Sequence, residues 1–221
     1  MYLIFDMDGV IVDSEAVYLA GYLHAAQLYD LPMEDMRTAV DRATGVTDKM
    51  ERAIMIGTFG HLPQFSMDKT YTACRDYFNN IVETGQMKLK PGAAEILMFL
   101  NDNKIPTGLA SSSPRAMIEK VLKPHGVLPY FGAVVSGDMV ERGKPDPEIF
   151  LKCAAQLGIP ESKYSETFVI EDSHNGIRAA RAAGMQPVMV PDLLPATEEM
   201  RRLSAAVLPS LTDVTEWLQS R

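Results

Sequence analysis

The sequence has few cysteines and no long apolar segment. Its 221 residues include only two cysteines, Cys74 and Cys153, which lie far apart without a CxxC or Cys/His spacing. This argues against disulfides and structural zinc and favours reduced thiols in the core of a cytoplasmic protein. No apolar run approaches the roughly 20 residues that span a bilayer. The apolar start, MYLIF, is too short for a signal peptide and runs directly into acidic residues.

The chain also lacks an excess of basic residues. It has 21 Lys and Arg against 29 Asp and Glu, a net charge of -8 and a pI near 5.0. Nucleic acids and anionic membrane surfaces attract proteins through a basic field. We therefore expect neither as a partner, whereas the charge is compatible with a small ligand.

What the sequence does contain is a group of acids directly after an apolar strand. Residues 2–5 (YLIF) predict a strand by their length and their aromatic and branched side chains. Asp6, Asp8 and Asp13 follow within eight positions. Crowded carboxylates repel one another and are costly to desolvate, so they persist most easily where a cation, a proton or a covalent reaction uses them.

Two regions of different character make up the chain. Residues 14–88 show helical spacing and no convincing strand. After Pro91, strand candidates at 105–110, 132–137, 167–172 and 186–191 alternate with helices. This alternation predicts βαβ units and a parallel sheet, which the first strand joins. The helical block is thus an insertion into an α/β domain formed by residues 1–13 and 89–221.

Polar residues follow or end the predicted strands on one edge of this sheet. In open parallel sheets, ligands gather outside the carboxyl ends of the strands. Four separate segments supply chemistry there: Asp6 and Asp8, Ser111 and Ser112, Lys144 in the loop RGKPDPEIF, and Glu171 with Asp172.

The acids of this edge suit phosphoryl transfer. Asp6 is a candidate nucleophile that forms an aspartyl-phosphate, and Asp8 is a candidate acid and base. Seen alone, either could simply cap a turn. Glu171 and Asp172 add negative charge, which a hard cation would compensate. Magnesium fits better than zinc because every candidate ligand is an oxygen.

Hydroxyls and one ammonium complete the set. Ser111 and its neighbour Ser112 could hold a phosphoryl oxygen at a helix N-terminus, or the serines could only cap that helix. Lys144 would neutralise phosphate and nucleophile, although a loop lysine is more often exposed.

Taken together, these motifs resemble the haloacid dehalogenase superfamily, in the branch of β-phosphoglucomutases and small sugar-phosphate phosphatases. The matching residues are DMDG at 6–9, Ser111, Lys144 before PDP, and the Glu171–Asp172 pair. The resemblance implies a Rossmann-like core flanked by helices with an inserted helical cap, residues 14–88. It also implies the following roles: Asp6 nucleophile, Asp8 acid/base, Ser111 and Lys144 phosphate binding, and Mg²⁺ on Asp6, the Asp8 carbonyl and Asp172. Glu171 either binds the metal through water or orients Asp172.

Hydrolysis and mutase chemistry both occur in this branch. The mutase carries a cap histidine and a phosphate-gripping cap arginine, where this chain has Tyr18 and Asp48. An acid there would repel a second phosphate. We therefore expect a Mg²⁺-dependent phosphatase of a small phosphomonoester, such as a sugar or sugar-alcohol phosphate, with a phosphosugar mutase as the alternative. A phospho-accepting signalling module is disfavoured by the long insert and by Asp8.

Cap contacts with substrate are expected at Thr44, Gly45, Val46 and Thr47, by motif position. A plain turn between helices is the alternative for this loop. The sequence does not define an oligomeric state and is compatible with a monomer.

Overall fold

The computed structural model describes residues 1–43 and 48–221 and divides into two compact units. Met1–Asp13 and Lys88–Arg221 form one, here called the sheet unit, and Ser14–Met87 form the other, the helical unit. The predicted cap contacts Thr44, Gly45, Val46 and Thr47 lie outside the described residues.

Regular elements alternate along the sheet unit, whereas helices occupy the helical unit. The strands are β1 Tyr2–Phe5, β2 Thr107–Ala110, β3 Ala133–Val135, β4 Thr167–Glu171, β5 Gln186–Met189 and β6 Ala206–Val207. The helices of the helical unit are α1 Ser14–Leu28, α2 Met33–Ala43, α3 Asp48–Phe59 and α4 Met67–Glu83. Those of the sheet unit are α5 Ala93–Asp102, α6 Arg115–Leu122, α7 Glu148–Gln156, α8 His174–Ala182, α9 Glu198–Leu203 and α10 Leu211–Gln219.

In the described residues, the strands form one six-stranded sheet in the order β3-β2-β1-β4-β5-β6, with every neighbouring pair parallel. This confirms the predicted α/β fold. The strand order reverses between β1 and β4, and ligands of such sheets bind at this switch point, outside the carboxyl ends of the strands. The sequence did not predict β6, because two residues are too short to show a strand pattern.

The central strands are buried on both faces, as in a sheet with helices on each side. All residues of β4 are buried, and Leu3, Ile4 and Phe5 of β1 are 0% exposed. Helix α7 packs closely on β2 at Gly108, where a Cβ would lie 2.5 Å from the sulfur of Cys153. Rigid central strands fix whatever side chains follow them.

The helical unit has its own apolar core, which includes Met36, Met55 and Phe59. Helices α1 and α4 approach closely at Gly21, where a Cβ would lie 2.9 Å from the sulfur of Cys74. Both cysteines of the chain are free and buried, and burial raises the pKa of each thiol to about 12. Within residues 1–43 and 48–221, no helix combines the length and the apolarity needed to cross a membrane.

Candidate active site

A tight turn directly after β1 holds the first two acids. The Asp6 amide donates to the carbonyl of Ile170 in β4 at 3.0 Å, so the residue continues the β1–β4 pairing. The next residues fold back, and the amides of Ile11 and Val12 both donate to the carbonyl of Met7, at 2.8 and 3.0 Å. Gly9 takes the left-handed conformation that this turn needs, with φ +72°. Asp6 and Asp8 are thereby fixed at the carboxyl edge of the sheet.

Lys144 joins two of the predicted acids in a buried ion-pair cluster. Its Nζ lies 2.6 Å from Oδ1 of Asp6 and 2.7 Å from Oε1 of Glu171. The side chains of Lys144, Asp6 and Glu171 are 8%, 9% and 1% exposed. Nζ also donates to the carbonyl of Ala110 at 3.4 Å. The loop lysine is therefore at the switch point and not on the surface.

Burial and charge act in opposite directions on these groups. Burial raises the pKa of Asp6 to about 7; the charge of Lys144 opposes this rise, whereas the neighbouring Glu171 and Asp8 add to it. Burial lowers the pKa of Lys144, but the Asp6 and Glu171 carboxylates outweigh it and hold that pKa above its ordinary value. Lys144 is thus a permanent cation among acids that repel one another.

Glu171 is held from both sides. Its Oε1 accepts from Lys144, while Oε2 accepts from the amide and the hydroxyl of Ser173 at 2.8 and 2.9 Å. Ser173 in turn caps α8 by accepting from the Gly176 amide at 3.0 Å. A Cβ on Gly176 would lie 1.8 Å from Oε1 of Glu171. Only glycine fits there, so the helix N-terminus packs directly on this carboxylate.

Two serine hydroxyls contact Asp8. Ser113 Oγ donates to Oδ2 of Asp8 at 2.9 Å, and Ser111 Oγ approaches the same oxygen at 3.4 Å. The Ser113 amide also donates to Ser111 Oγ at 3.1 Å. Ser112 is exposed, and its carbonyl packs on Gly137, where a Cβ would lie 2.0 Å away. Sequence reasoning did not place Ser113 in the site, although the run of three serines was its signal.

The acids at the carboxyl ends of β1 and β4 could hold a metal ion. Among the described residues, one carboxylate oxygen each from Asp6, Glu171 and Asp172 lies within 4.8 Å of the others. Oδ2 of Asp172 rests over Gly9, only 2.2 Å from the place of a Cβ. With Asp8, four carboxylates lie at this edge, and Lys144 places its ammonium against two of them. An all-oxygen donor set with excess negative charge fits a hard divalent cation.

Most of the predicted site residues lie together in the structure. The structure brings together Asp6, Asp8, Ser111, Lys144, Glu171 and Asp172 at the carboxyl edge of the sheet. Tyr18, on the helical unit, is 44% exposed, and its ring stacks on Phe78 with centroids 4.4 Å apart.

This geometry agrees with comparisons to known proteins. Residues 1–184 match the family described as haloacid dehalogenase-like hydrolase. The chain belongs to the haloacid dehalogenase-like hydrolase family. It is an enzyme of the hydrolase class, and the resemblance drawn from DMDG, Ser111, Lys144 and the Glu171–Asp172 pair is confirmed.

Relatives of this hydrolase carry names from the expected branch. A phosphorylated carbohydrates phosphatase from Thermotoga maritima is 32% identical over an alignment that covers 84% of this chain and 82% of the relative. A β-phosphoglucomutase from Bacillus subtilis (strain 168) is 31% identical over an alignment that covers 99% of this chain and 96% of the relative. The crystal structure of a HAD family hydrolase from Deinococcus radiodurans R1, with bound phosphate and sodium, gives a TM-score of 0.83 at 26% identity and covers 99% of this chain and 95% of that one.

Proposed function

We propose that this hydrolase is a Mg²⁺-dependent phosphatase of a small phosphomonoester, such as a sugar or sugar-alcohol phosphate. The observation that carries the proposal is the place of Asp6. Its carboxylate is buried at the switch point of the sheet, 2.6 Å from Lys144 and within 4.8 Å of carboxylate oxygens of Glu171 and Asp172. A nucleophilic carboxylate needs such fixed, charge-compensated surroundings.

In the first half of the reaction, Asp6 attacks phosphorus and the ester P–O bond breaks. The leaving oxygen takes a proton from Asp8, which its two serine contacts orient. Lys144 lies beside Asp6, where it attracts phosphoryl oxygens and, against the effect of burial, favours the ionised form of the nucleophile. The product of this half is an alcohol and an aspartyl-phosphate on Asp6.

In the second half, water attacks the phosphorus of the aspartyl-phosphate and gives a proton to Asp8. The acyl P–O bond breaks, which releases inorganic phosphate and restores the Asp6 carboxylate. Asp6, Asp172 and the Asp8 carbonyl would hold the cation, with Glu171 braced behind them by Ser173 and Lys144. When bound, Mg²⁺ supplies charge that lowers the repulsion between carboxylates and phosphate.

Mutase chemistry is the second candidate, because a β-phosphoglucomutase is similar over 99% of this chain. A mutase needs a second phosphate grip, and Tyr18 and Asp48 stand where the resemblance expects histidine and arginine. Hydrolysis is therefore the favoured outcome. The role of the helical unit as a substrate-selecting cap, its boundaries, cytoplasmic location and the absence of nucleic-acid or membrane partners stay predictions.

The test is a phosphate-release screen over sugar phosphates, sugar-alcohol phosphates, nucleotides and glycerol phosphates, with Mg²⁺ and with EDTA. We expect release from at least one small phosphate ester with Mg²⁺ and none with EDTA. Product analysis with β-glucose 1-phosphate separates the two candidates. Free phosphate supports the phosphatase, and an isomerised sugar phosphate supports the mutase. Release that is equal in EDTA would contradict the metal dependence.

A further inference from the structure

A second set of charged residues lies beside the candidate metal centre and takes no part in the proposed reaction. Nζ of Lys90 lies 2.7 Å from Oδ1 of Asp192 and 3.7 Å from Oδ1 of Asp13. The side chains of Lys90 and Asp192 are 21% and 14% exposed, against 40% for Asp13. The shorter contact, between Lys90 and Asp192, is therefore also the more buried of the two.

Gly9 brings this set next to the acids of the site. A Cβ on Gly9 would lie 2.2 Å from Oδ2 of Asp172 and 3.3 Å from Oδ2 of Asp192. Both carboxylate oxygens thus lie within 3.3 Å of one point, so Asp172 and Asp192 are neighbours. Gly9, which directly follows Asp8, lies between them.

One oxygen of Asp192 has no partner. Oδ1 accepts from Lys90, whereas Oδ2 is buried and has no hydrogen-bond partner in the described residues. Buried polar atoms are almost always hydrogen bonded, because an unsatisfied one keeps the full cost of its desolvation. Oδ2 of Asp192 therefore lacks a hydrogen-bond donor beside the Asp172 carboxylate. A water molecule bound to a metal ion would supply one.

Lys90, which donates to Oδ1 of Asp192, lies on backbone that is hydrogen bonded to the turn after β1. Its amide donates to the carbonyl of Ile11 at 2.9 Å, and the Asp13 amide donates to the carbonyl of Lys88 at 3.0 Å. The segment that contains Lys90 is thereby tied to the turn after β1. Through its side chain the same residue reaches Asp192, which follows β5.

We propose that Asp192, oriented by Lys90, is a positioning residue for the cation, and that its Oδ2 accepts a hydrogen bond from a water ligand of that ion. The inference rests on the proposed function, in which Asp6 and Asp172 hold Mg²⁺. Magnesium in proteins usually keeps several water ligands, and each needs an acceptor. Residues behind the direct ligands commonly set metal affinity by 10–100-fold.

The experiment measures Mg²⁺ binding to the whole, substrate-free protein by isothermal titration calorimetry. We expect Asp192→Asn to weaken binding by about tenfold or more, and Lys90→Met to weaken it several-fold because Asp192 loses the contact that orients it. Asp13→Asn is the matched control: it removes the same charge from the same lysine, but at a screened and more exposed position, so affinity should change less than about twofold.

Circular dichroism verifies that each variant is folded, and Lys90→Met decides the matter if Asp192→Asn does not fold. Wild-type Mg²⁺ affinity in folded Asp192→Asn, or equal weakening in Asp13→Asn, would overturn this inference alone. Tighter binding by Lys90→Met would overturn the orienting role of the lysine. Failure of the wild-type protein to bind Mg²⁺ would overturn both this inference and the metal of the proposed function.

Discussion

The two ends of β4 carry ion pairs of nearly the same length and of very different burial. Before its first residue, Lys163 and Glu166 lie 2.6 Å apart, with side chains 45% and 49% exposed. At its last residue, Lys144 and Glu171 lie 2.7 Å apart, with side chains 8% and 1% exposed. Exposed pairs contribute about 0–1 kcal/mol, whereas buried charges must overcome a large desolvation cost. The contact distance does not reveal the functional end, but the burial does.

The largest expected effect separates the two ends by catalysis. Asp6→Asn removes the nucleophile next to the buried pair, so turnover should fall by about 10³-fold or more. Glu166→Gln changes a carboxylate at the opposite end of β4 and should leave turnover unchanged. Steady-state phosphate release measures both, with circular dichroism as the check on folding. Near wild-type turnover in folded Asp6→Asn would remove the nucleophile from the proposal.

Stability should separate the same two ends. Lys144→Met leaves Asp6 and Glu171 buried without their counter-charge, which costs about 3–5 kcal/mol. Lys163→Met breaks the exposed pair and should cost far less, because solvent screens that pair. Urea unfolding without Mg²⁺ gives both values. Similar losses of unfolding free energy in the two variants would show that the buried pair contributes no more to stability than the exposed pair.

Glycine substitutions sharpen the comparison at the end of β4. Alanine in place of an exposed helical glycine normally stabilises by about 0.5–1 kcal/mol, and Gly57→Ala in α3, with nothing within 4 Å of its Cβ, should do so. Gly176→Ala in α8 should have the opposite sign and destabilise by about 1–3 kcal/mol, because its Cβ would overlap the Glu171 carboxylate. Thermal unfolding of the two variants checks this reversal, and stabilisation by both would refute the packing.

The last predicted effect is a pH dependence of the cation-free protein. Burial raises the pKa of Asp6 to about 7, so the folded state binds this proton more tightly than the unfolded state, with a pKa near 4. The contribution of Asp6 to stability therefore falls as pH rises from about 4 to 7. Relative to Asp6→Asn, the wild type should lose about 1 kcal/mol or more over this range. Urea unfolding in EDTA at several pH values measures the difference, and a constant difference would contradict the shift.

Much of the architecture could be predicted from the sequence because its signals are local. The buried run before Asp6 and the alternation of short apolar segments with helices indicate β1 to β5 and a parallel sheet. The carboxyl-edge rule then gathers Asp6, Lys144 and Glu171 from distant segments. The sequence did not predict β6 for a reason that is also local. This strand spans two residues, Ala206 and Val207, which are too few to show a pattern.

The rest of the site depends on backbone geometry that no pattern encodes. Which of three successive serines faces Asp8 is decided by the loop after β2, so Ser113 was missed. A glycine at 176 could be expected to allow close packing, but only the fold shows that the Glu171 carboxylate occupies the place of its Cβ. Asp192 gains its neighbour Asp172 only because β5 lies beside β4.

The central claim is that Asp6 carries the phosphoryl group between the two halves of the reaction. The most direct measurement is acid quenching of the Asp8→Asn variant during turnover, followed by mass spectrometry of its peptides. This variant keeps the nucleophile but lacks both the acid for the leaving oxygen and the base that activates water. With p-nitrophenyl phosphate as the substrate, whose leaving group needs no proton, an aspartyl-phosphate should accumulate on Asp6. Absence of a phosphorylated peptide, or a phosphoryl group on a serine instead, would contradict the account.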